Sequence, residues 1–143
     1  MPYRYLDEIS IADIAFEAWG KSLEETFTAS AEATLNVMVE ELDTIRPLVK
    51  REVQLEDEAL DLLLFNFLQE LIYYKDAQRL LLRMEKLEIG EREGKFHLRC
   101  LAVGEEIDPA RHPLRLDVKA VTLHHFALVR EEQGWKATVI LDV

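Results

Sequence analysis

The sequence predicts an α+β fold: a single two-layer domain over residues 1–143, with two long helices on one face of a mostly antiparallel sheet. Three observations carry that expectation. Apolar residues spaced by three and four follow a capping signal at Ser22, a second such segment starts near residue 57, and from residue 79 the period changes to two with glycine-bearing turns between runs. A length of 143 residues suits one domain, and 49% hydrophobic residues with only 5 Gly and 4 Pro exclude a disordered or collagen-like chain.

The elements follow in order. Tyr3 to Asp7 alternates loosely, and so does Ala12 to Trp19, where Ala12, Ile14, Phe16 and Ala18 share one face; both read as strands. Gly20 breaks the run. Ser22-Leu23-Glu24-Glu25 then fits the Ser-x-x-Glu capping box, in which hydroxyl and carboxylate satisfy free backbone amides. The helix it opens is expected near 22–43, with Leu23, Phe27, Ala31, Leu35, Met38 and Leu42 on one stripe. After Pro47, Val49 to Leu55 alternates as a short strand. Glu56, Asp57 and Glu58 sit where a helix N-terminus favours negative charge, and Leu60, Leu63, Leu64, Phe67 and Leu71 continue at helical spacing near 57–76. Because Leu62, Phe65, Leu68 and Ile72 widen the stripe, this helix is expected to be the most buried element.

Runs of strand character cover 79–89, 95–103, 117–129 and 135–142. Gly90 and Gly94 around Glu91-Arg92-Glu93, and Gly134 after Glu131-Glu132-Gln133, read as hairpin connections. Gly104 to Leu114 holds two prolines and is too long for a tight turn; loops of that length in a small domain tend to be functional or mobile.

Charge narrows the function. The formal net charge is −11, and residues 1–70 hold 5 bases against 16 acids, so the excess acid belongs to the first half. That balance argues against a nucleic-acid binder held by phosphate contacts and against strong direct nucleic-acid binding, and it suits a basic protein partner. The lone Cys100 has no cysteine to pair with, and Met1 to Ser10 contains no apolar signal core, so a cytoplasmic protein without a membrane association is expected. Cys100 itself reads as a small core residue.

No dinucleotide fingerprint, phosphate loop, His-Glu-x-x-His or cysteine pair is present. His124 and His125 are adjacent in an expected strand, so they should point to opposite faces, one packed and one solvated; His112 in the proline-bearing loop reads as exposed. The carboxylates are more informative. Asp13 falls in an apolar strand and Asp142 ends another beside the Val143 carboxylate. If first and last strands meet, three carboxylates converge as hard oxygen ligands for Ca²⁺ or Mg²⁺, with Lys119 as the cation nearby. The alternative is that Asp13 caps a strand end and Asp142 frays into solvent, and spacing leaves both readings open.

Short motifs then match a family. Tyr5-Leu6-Asp7, Ala12-Asp13-Ile14 and Ala18-Trp19-Gly20 with Ser22 to Phe27 resemble the N-terminal signature of the archease family. Leu63-Leu64, Leu68-Gln69-Glu70-Leu71, Gly104-Glu105, Val118-Lys119-Ala120-Val121-Thr122 with His124, and Val139 to Val143 follow in the same order, so the likeness spans the chain. Ser10-Ile11 stand where the family has His-Thr, so no role of that histidine transfers. The resemblance implies an accessory protein rather than an enzyme, one that activates the RtcB-type RNA-splicing ligase in tRNA processing by promoting its guanylylation and multiple turnover. It maps the family's functional residues onto Asp13, Lys119 and Asp142, with a divalent cation, Ca²⁺ before Mg²⁺ or Mn²⁺, held by Asp13, Asp142 and Val143. A stand-alone metal-binding, chaperone-like interaction module is the alternative. A small metal-dependent hydrolase fits less well, since no general base is visible beyond the ligating carboxylates.

Overall fold

The structure, a computed structural model, describes residues 2–6 and 12–143. Asp7 of the first expected strand and the Ser10-Ile11 departure lie outside the described residues. The elements run β1 (Tyr3–Tyr5), β2 (Asp13–Gly20), α1 (Leu23–Met38), a 3₁₀ turn (Leu42–Thr44), β3 (Val49–Asp57), α2 (Leu60–Gln78), β4 (Leu80–Arg92), β5 (Lys95–Glu106), β6 (Ala120–Glu131) and β7 (Gly134–Asp142). The α+β class and the antiparallel pairing agree with expectation, but the strands form two sheets rather than one. Their orders are β1-β2-β7-β6 and β3-β5-β4, so the last four strands divide between them. Period-two alternation marks a strand without naming its neighbour, and here the segment between β5 and β6 carries the chain from one sheet to the other.

Both helices touch both sheets, α1 through β2, β7 and β4, and α2 through β6, β3, β4 and β5. This arrangement reverses the expected ranking of burial: ten of the 16 residues of α1 are buried, against seven of 19 in α2. The helix at the centre is the one with small side chains, Ala29, Ala31 and Ala33, which let two sheets approach it. Its buried hydroxyls cost little, because Thr26, Ser30 and Thr34 return their protons to the carbonyls four residues back at 3.0, 2.8 and 2.9 Å. On α2, Leu62 remains 41% exposed.

The caps explain the helix boundaries. Ser22 Oγ accepts the Glu25 amide at 3.1 Å, and the Glu25 carboxylate reaches back to the Lys21 amide at 2.7 Å. At the other end α1 stops at Met38, short of the expected residue 43, because Val39 turns extended and bridges Leu114. The amides of Arg115 and Leu116 take the carbonyls of Met38 and Val37 at 2.9 and 3.1 Å, replacing the helical bonds a further turn would have made. Asp57 closes β3 rather than opening α2, its carboxylate accepting the Ala59 amide at 3.0 Å.

The β4–β5 hairpin turns on Glu93-Gly94, both at positive φ (56° and 76°), a type I′ turn whose twist matches the strands; Gly90 lies inside β4 instead of flanking the turn. Gly104 is required by contact: a Cβ there would sit 1.7 Å from the Leu81 carbonyl oxygen.

The segment 107–119 is anchored by a buried carboxylate. Glu105, 4% exposed, accepts the Arg46 amide at 2.6 Å, an Arg46 guanidinium bond at 3.1 Å, and a bond from Arg111. His112, expected to be exposed, is 2% exposed. Its Nδ1 accepts the Asp108 amide at 2.9 Å, so the ring proton sits on Nε2, which faces Glu105 at 3.3 Å. Burial alone would raise the Glu105 pKa, but these donors outweigh it and hold the carboxyl well below the usual range. A depressed folded pKa contributes stability above the unfolded value near 4.3 and loses it as pH falls toward the folded one. Glu105→Gln is therefore expected to destabilise the protein by about 3 kcal/mol at pH 7. The gap between the urea midpoints of wild type and variant should narrow as pH falls below about 5 and go on narrowing below pH 3, toward the depressed folded pKa; a gap that stays constant from pH 5 to pH 3 would show that the network carries no charge-linked stability.

Candidate functional site

The site is built where β2, β7 and the start of β6 lie side by side. In the β2–β7 register Asp13 faces Asp142 directly, and Asp142 faces Ala120 on its other side. Opposed residues in an antiparallel pair share a face with Cβ atoms about 5 Å apart, and like charges so placed repel. Both aspartates are half-buried, which strengthens that repulsion relative to open water. Of the two readings left open by spacing, convergence is the one the register supports: Asp142 is a paired strand residue and does not fray. Val143 continues alongside, its amide donating to the Ala12 carbonyl at 2.9 Å.

Lys119 stands immediately before β6, its side chain exposed and its amide donating to the Asp142 carbonyl at 2.8 Å. Two side chains of α2 grip the backbone on either side of it. Lys75 Nζ donates to the Val118 carbonyl at 2.7 Å and pairs with the Asp117 carboxylate at 2.6 Å, while Gln69 Oε1 accepts the Val121 amide at 2.9 Å. Lys119 is thus fixed at its root and free at its tip. Sequence reading passed over Lys75, although its position signals it: it follows Leu71 and Ile72 by four and three residues and so occupies the buried stripe of α2.

Two hard carboxylates oppose each other, and Thr122, on the same face one rung along β6, has a buried hydroxyl with no partner among the described residues. Oxygen donors of this kind suit Ca²⁺ or Mg²⁺ and not a soft metal. Among the described residues no three His, Cys, Asp or Glu side chains gather around a common point, so any further ligands would come from backbone, the Val143 carboxylate or water.

Other residues singled out from sequence fall elsewhere. His124 and His125 do not take opposite faces: the β6–β7 register breaks between Thr122 and Ala127, His125 has φ 53°, and the two rings lie 4.0 Å apart, both exposed. The irregular stretch removes the alternation on which the expectation rested. Cys100 is buried in β5, and that burial pushes its thiol up to about 11.

Two antiparallel sheets enclosing two helices define a small α+β class already seen in solved structures. The solution structure of Methanobacterium thermoautotrophicum protein 1598 matches with a TM-score of 0.86 and 34% identity, over 99% of both chains. An archease described as a possible chaperone, from Thermotoga maritima, shares the fold at a TM-score of 0.57 and 19% identity, over 96% of both chains. Sequence relatives point the same way. The protein archease of Methanosarcina mazei is 35% identical over 142 residues, covering 99% of this chain and 95% of that protein; that of Pyrococcus furiosus is 37% identical over 133 residues, covering 92% and 93%. Residues 3–143 match the model of the archease protein family (MTH1598/TM1083), and the chain belongs to that family.

The grip of α2 on the lysine segment makes a prediction. Lys75→Met keeps the length and apolar stem but leaves the Val118 carbonyl unsatisfied in a buried setting, at a cost of about 1–3 kcal/mol. Hydrogen exchange at the Lys119 amide should rise faster than exchange in the centre of β7. Unchanged protection at Lys119 would show that the lysine segment is held without Lys75.

Proposed function

We propose that this chain activates an RtcB-type RNA-splicing ligase in tRNA processing, promoting its guanylylation and multiple turnover as an accessory protein without catalysis of its own. The single observation behind this reading is the direct opposition of Asp13 and Asp142 with Lys119 rooted on the Asp142 carbonyl. Family membership supplies the context; the ligase, the ion and the cytoplasmic setting are proposals. Among the described residues no helix is long and apolar enough to cross a membrane.

In this reading Asp13, Asp142 and the Val143 carboxylate hold a divalent cation, Ca²⁺ first and Mg²⁺ or Mn²⁺ as alternatives. When bound, the cation supplies positive charge beside a phosphate undergoing transfer. Phosphoryl-type transfer is driven by positioning and charge stabilisation, so a carboxylate pair and one ammonium suffice and no nucleophile is required from this chain. Lys119, exposed at its tip, neutralises phosphate charge, while α2 keeps it in place. The second reading, a chaperone-like interaction module, takes support from the description of the Thermotoga maritima protein as a possible chaperone.

The deciding experiment is a ligation assay with a cognate ligase, GTP and Mn²⁺ at substoichiometric ligase, with and without this protein. Increased turnover is expected; no change, together with suppressed aggregation of a client protein, would favour the chaperone reading. For the ion, calorimetry should show Asp13→Asn weakening Ca²⁺ binding at least about tenfold, and a short C-terminal extension, which converts the Val143 carboxylate to an amide, weakening it as well. Unaltered affinity in both variants would place the ion elsewhere. Lys119→Ala should bind the ligase nearly as wild type yet lower the single-turnover guanylylation rate by roughly a hundredfold, with Lys119→Arg a partial rescue. Lost binding with full stimulation at saturating protein would make Lys119 a docking residue.

A further inference from the structure

We propose that β3 is an interface strand: two copies of this chain join edge to edge through it, antiparallel and in a register centred on Val53, so that one sheet runs across the dimer. The inference is independent of the ligase reading, since β3 lies in the sheet that does not carry the aspartate pair.

An exposed sheet edge is a template for another strand, and folded chains blunt such edges by shortness, bulges or cover. Three of the four edges among the described residues are treated in that way. β1 has only 3 residues. β6 loses register with β7 between Thr122 and Ala127, and Gln69 of α2 takes its Val121 amide. β4 shifts register between Met84 and Lys86, and Glu24 of α1 takes its Ile89 amide at 3.2 Å. The fourth edge, β3, runs for 9 residues against β5 with no shift. Among the described residues no side chain takes a β3 amide. The one side-chain bond to its backbone comes from inside the strand, where Arg51 donates to the Lys50 carbonyl at 2.8 Å.

Charge selects a second copy as the strand that fits. Lys50, Glu52, Gln54 and Glu56 share the exposed face of β3, while Val53, 4% exposed, lies on the face toward α2. A two-fold axis perpendicular to the sheet keeps the helices of both copies on one side and sets like face beside like face. Centred on Val53, it overlaps all 9 residues and opposes Lys50 to Glu56 of the second copy and Glu52 to Gln54. Each contact then occurs twice by symmetry. A slip of two residues sets Glu52 against its own copy in one direction and against Glu56 in the other, and like charges directly opposed destabilise a strand pair. The complementary register is therefore also the one of full overlap. Lys50, which has no ion pair among the described residues, gains one in it.

The helix beside the strand adds apolar surface. Asn66 donates to Asp57 at 3.4 Å and Arg51 to Gln78 at 3.0 Å, so α2 runs alongside β3 and is tied to it at two points. Tyr73, two turns after Asn66 and so on the same flank, is 55% exposed. It borders the edge that a second copy covers.

Sedimentation equilibrium at about 150 mM salt, where the Debye length is about 8 Å and the net charge of the chain is screened, is expected to show a concentration-dependent dimer. Lys50→Glu opposes a carboxylate to Glu56 in both symmetric contacts and should weaken the dimer at least about tenfold. Lys50→Glu/Glu56→Lys restores opposite charges with reversed polarity and should recover most of the loss. Lys86→Glu makes the same change of charge on the exposed face of β4 and should leave the equilibrium unchanged. Oxidised Lys50→Cys/Glu56→Cys should give a covalent dimer, because those positions come within disulfide reach in this register. A monomer at every concentration, equal weakening by Lys50→Glu and Lys86→Glu, or no cross-link in the cysteine variant would overturn the proposal.

Discussion

The antiparallel pairing of β2 with β7 is the constraint on which the rest of the structure depends. It joins residues 13–20 to residues 135–142 without slippage across its whole length, and it is a costly contact to form because most of the chain must be looped between the partners. What it buries offsets that cost: Phe16, Ala18, Ala137, Val139 and Leu141 are fully inaccessible on or between the two strands, packed toward α1. A slip of one residue would turn these side chains outward, so the register is set by the core. The same register opposes two aspartates at one end of the strand pair, and that arrangement could not shift without disturbing the hydrophobic centre.

The segment between β5 and β6 is the second organising feature. It joins the two sheets, and polar contacts hold it along its length instead of leaving it a free loop. Glu105 binds Arg46 and Arg111 at its start, the α1 C-terminus takes its middle through the amides of Arg115 and Leu116, and Lys75 holds Asp117 and Val118 at its end. Ion pairs of this kind, with one partner buried and the other reaching solvent, contribute less net stability than their number suggests, since the buried charge is first removed from water. Their consequence is positional. They over-determine the path of a proline-bearing segment, and so deliver Lys119 to the carbonyl of Asp142 with its ammonium directed to solvent.

The acidic balance of the chain acquires a geometry from this framework. Acids of the first half, Glu24, Glu25 and Glu32 among them, fall on α1, and the aspartate pair gathers one residue from each end of the chain. A molecule of net charge −11 attracts basic partners over a distance set by ionic strength, while specificity comes from where an aromatic surface or a fixed ammonium interrupts the negative field.

The sequence by itself determined the elements and the candidate residues. Alternation and helical spacing are local properties, so both helices, the capped start of α1 at Ser22 and the strand character of the last four runs were legible, as were Asp13 and Asp142 as carboxylates out of place in apolar strands. Local signals could not say which strands pair, so the division into two sheets was invisible, and with it the central position of α1. The helix apolar on more than one side, α2, was read as the buried one, whereas small residues and self-satisfied hydroxyls let α1 sit between the sheets. His112 read as a surface residue and Lys75 went unremarked because a polar side chain becomes burial-compatible only when partners arrive from distant segments, here Glu105 and Asp117. Tertiary structure decided those partners, the end of α1 at Met38 and the opposition of Asp13 to Asp142, because each depends on contacts between residues remote in the chain whose energies no local pattern encodes.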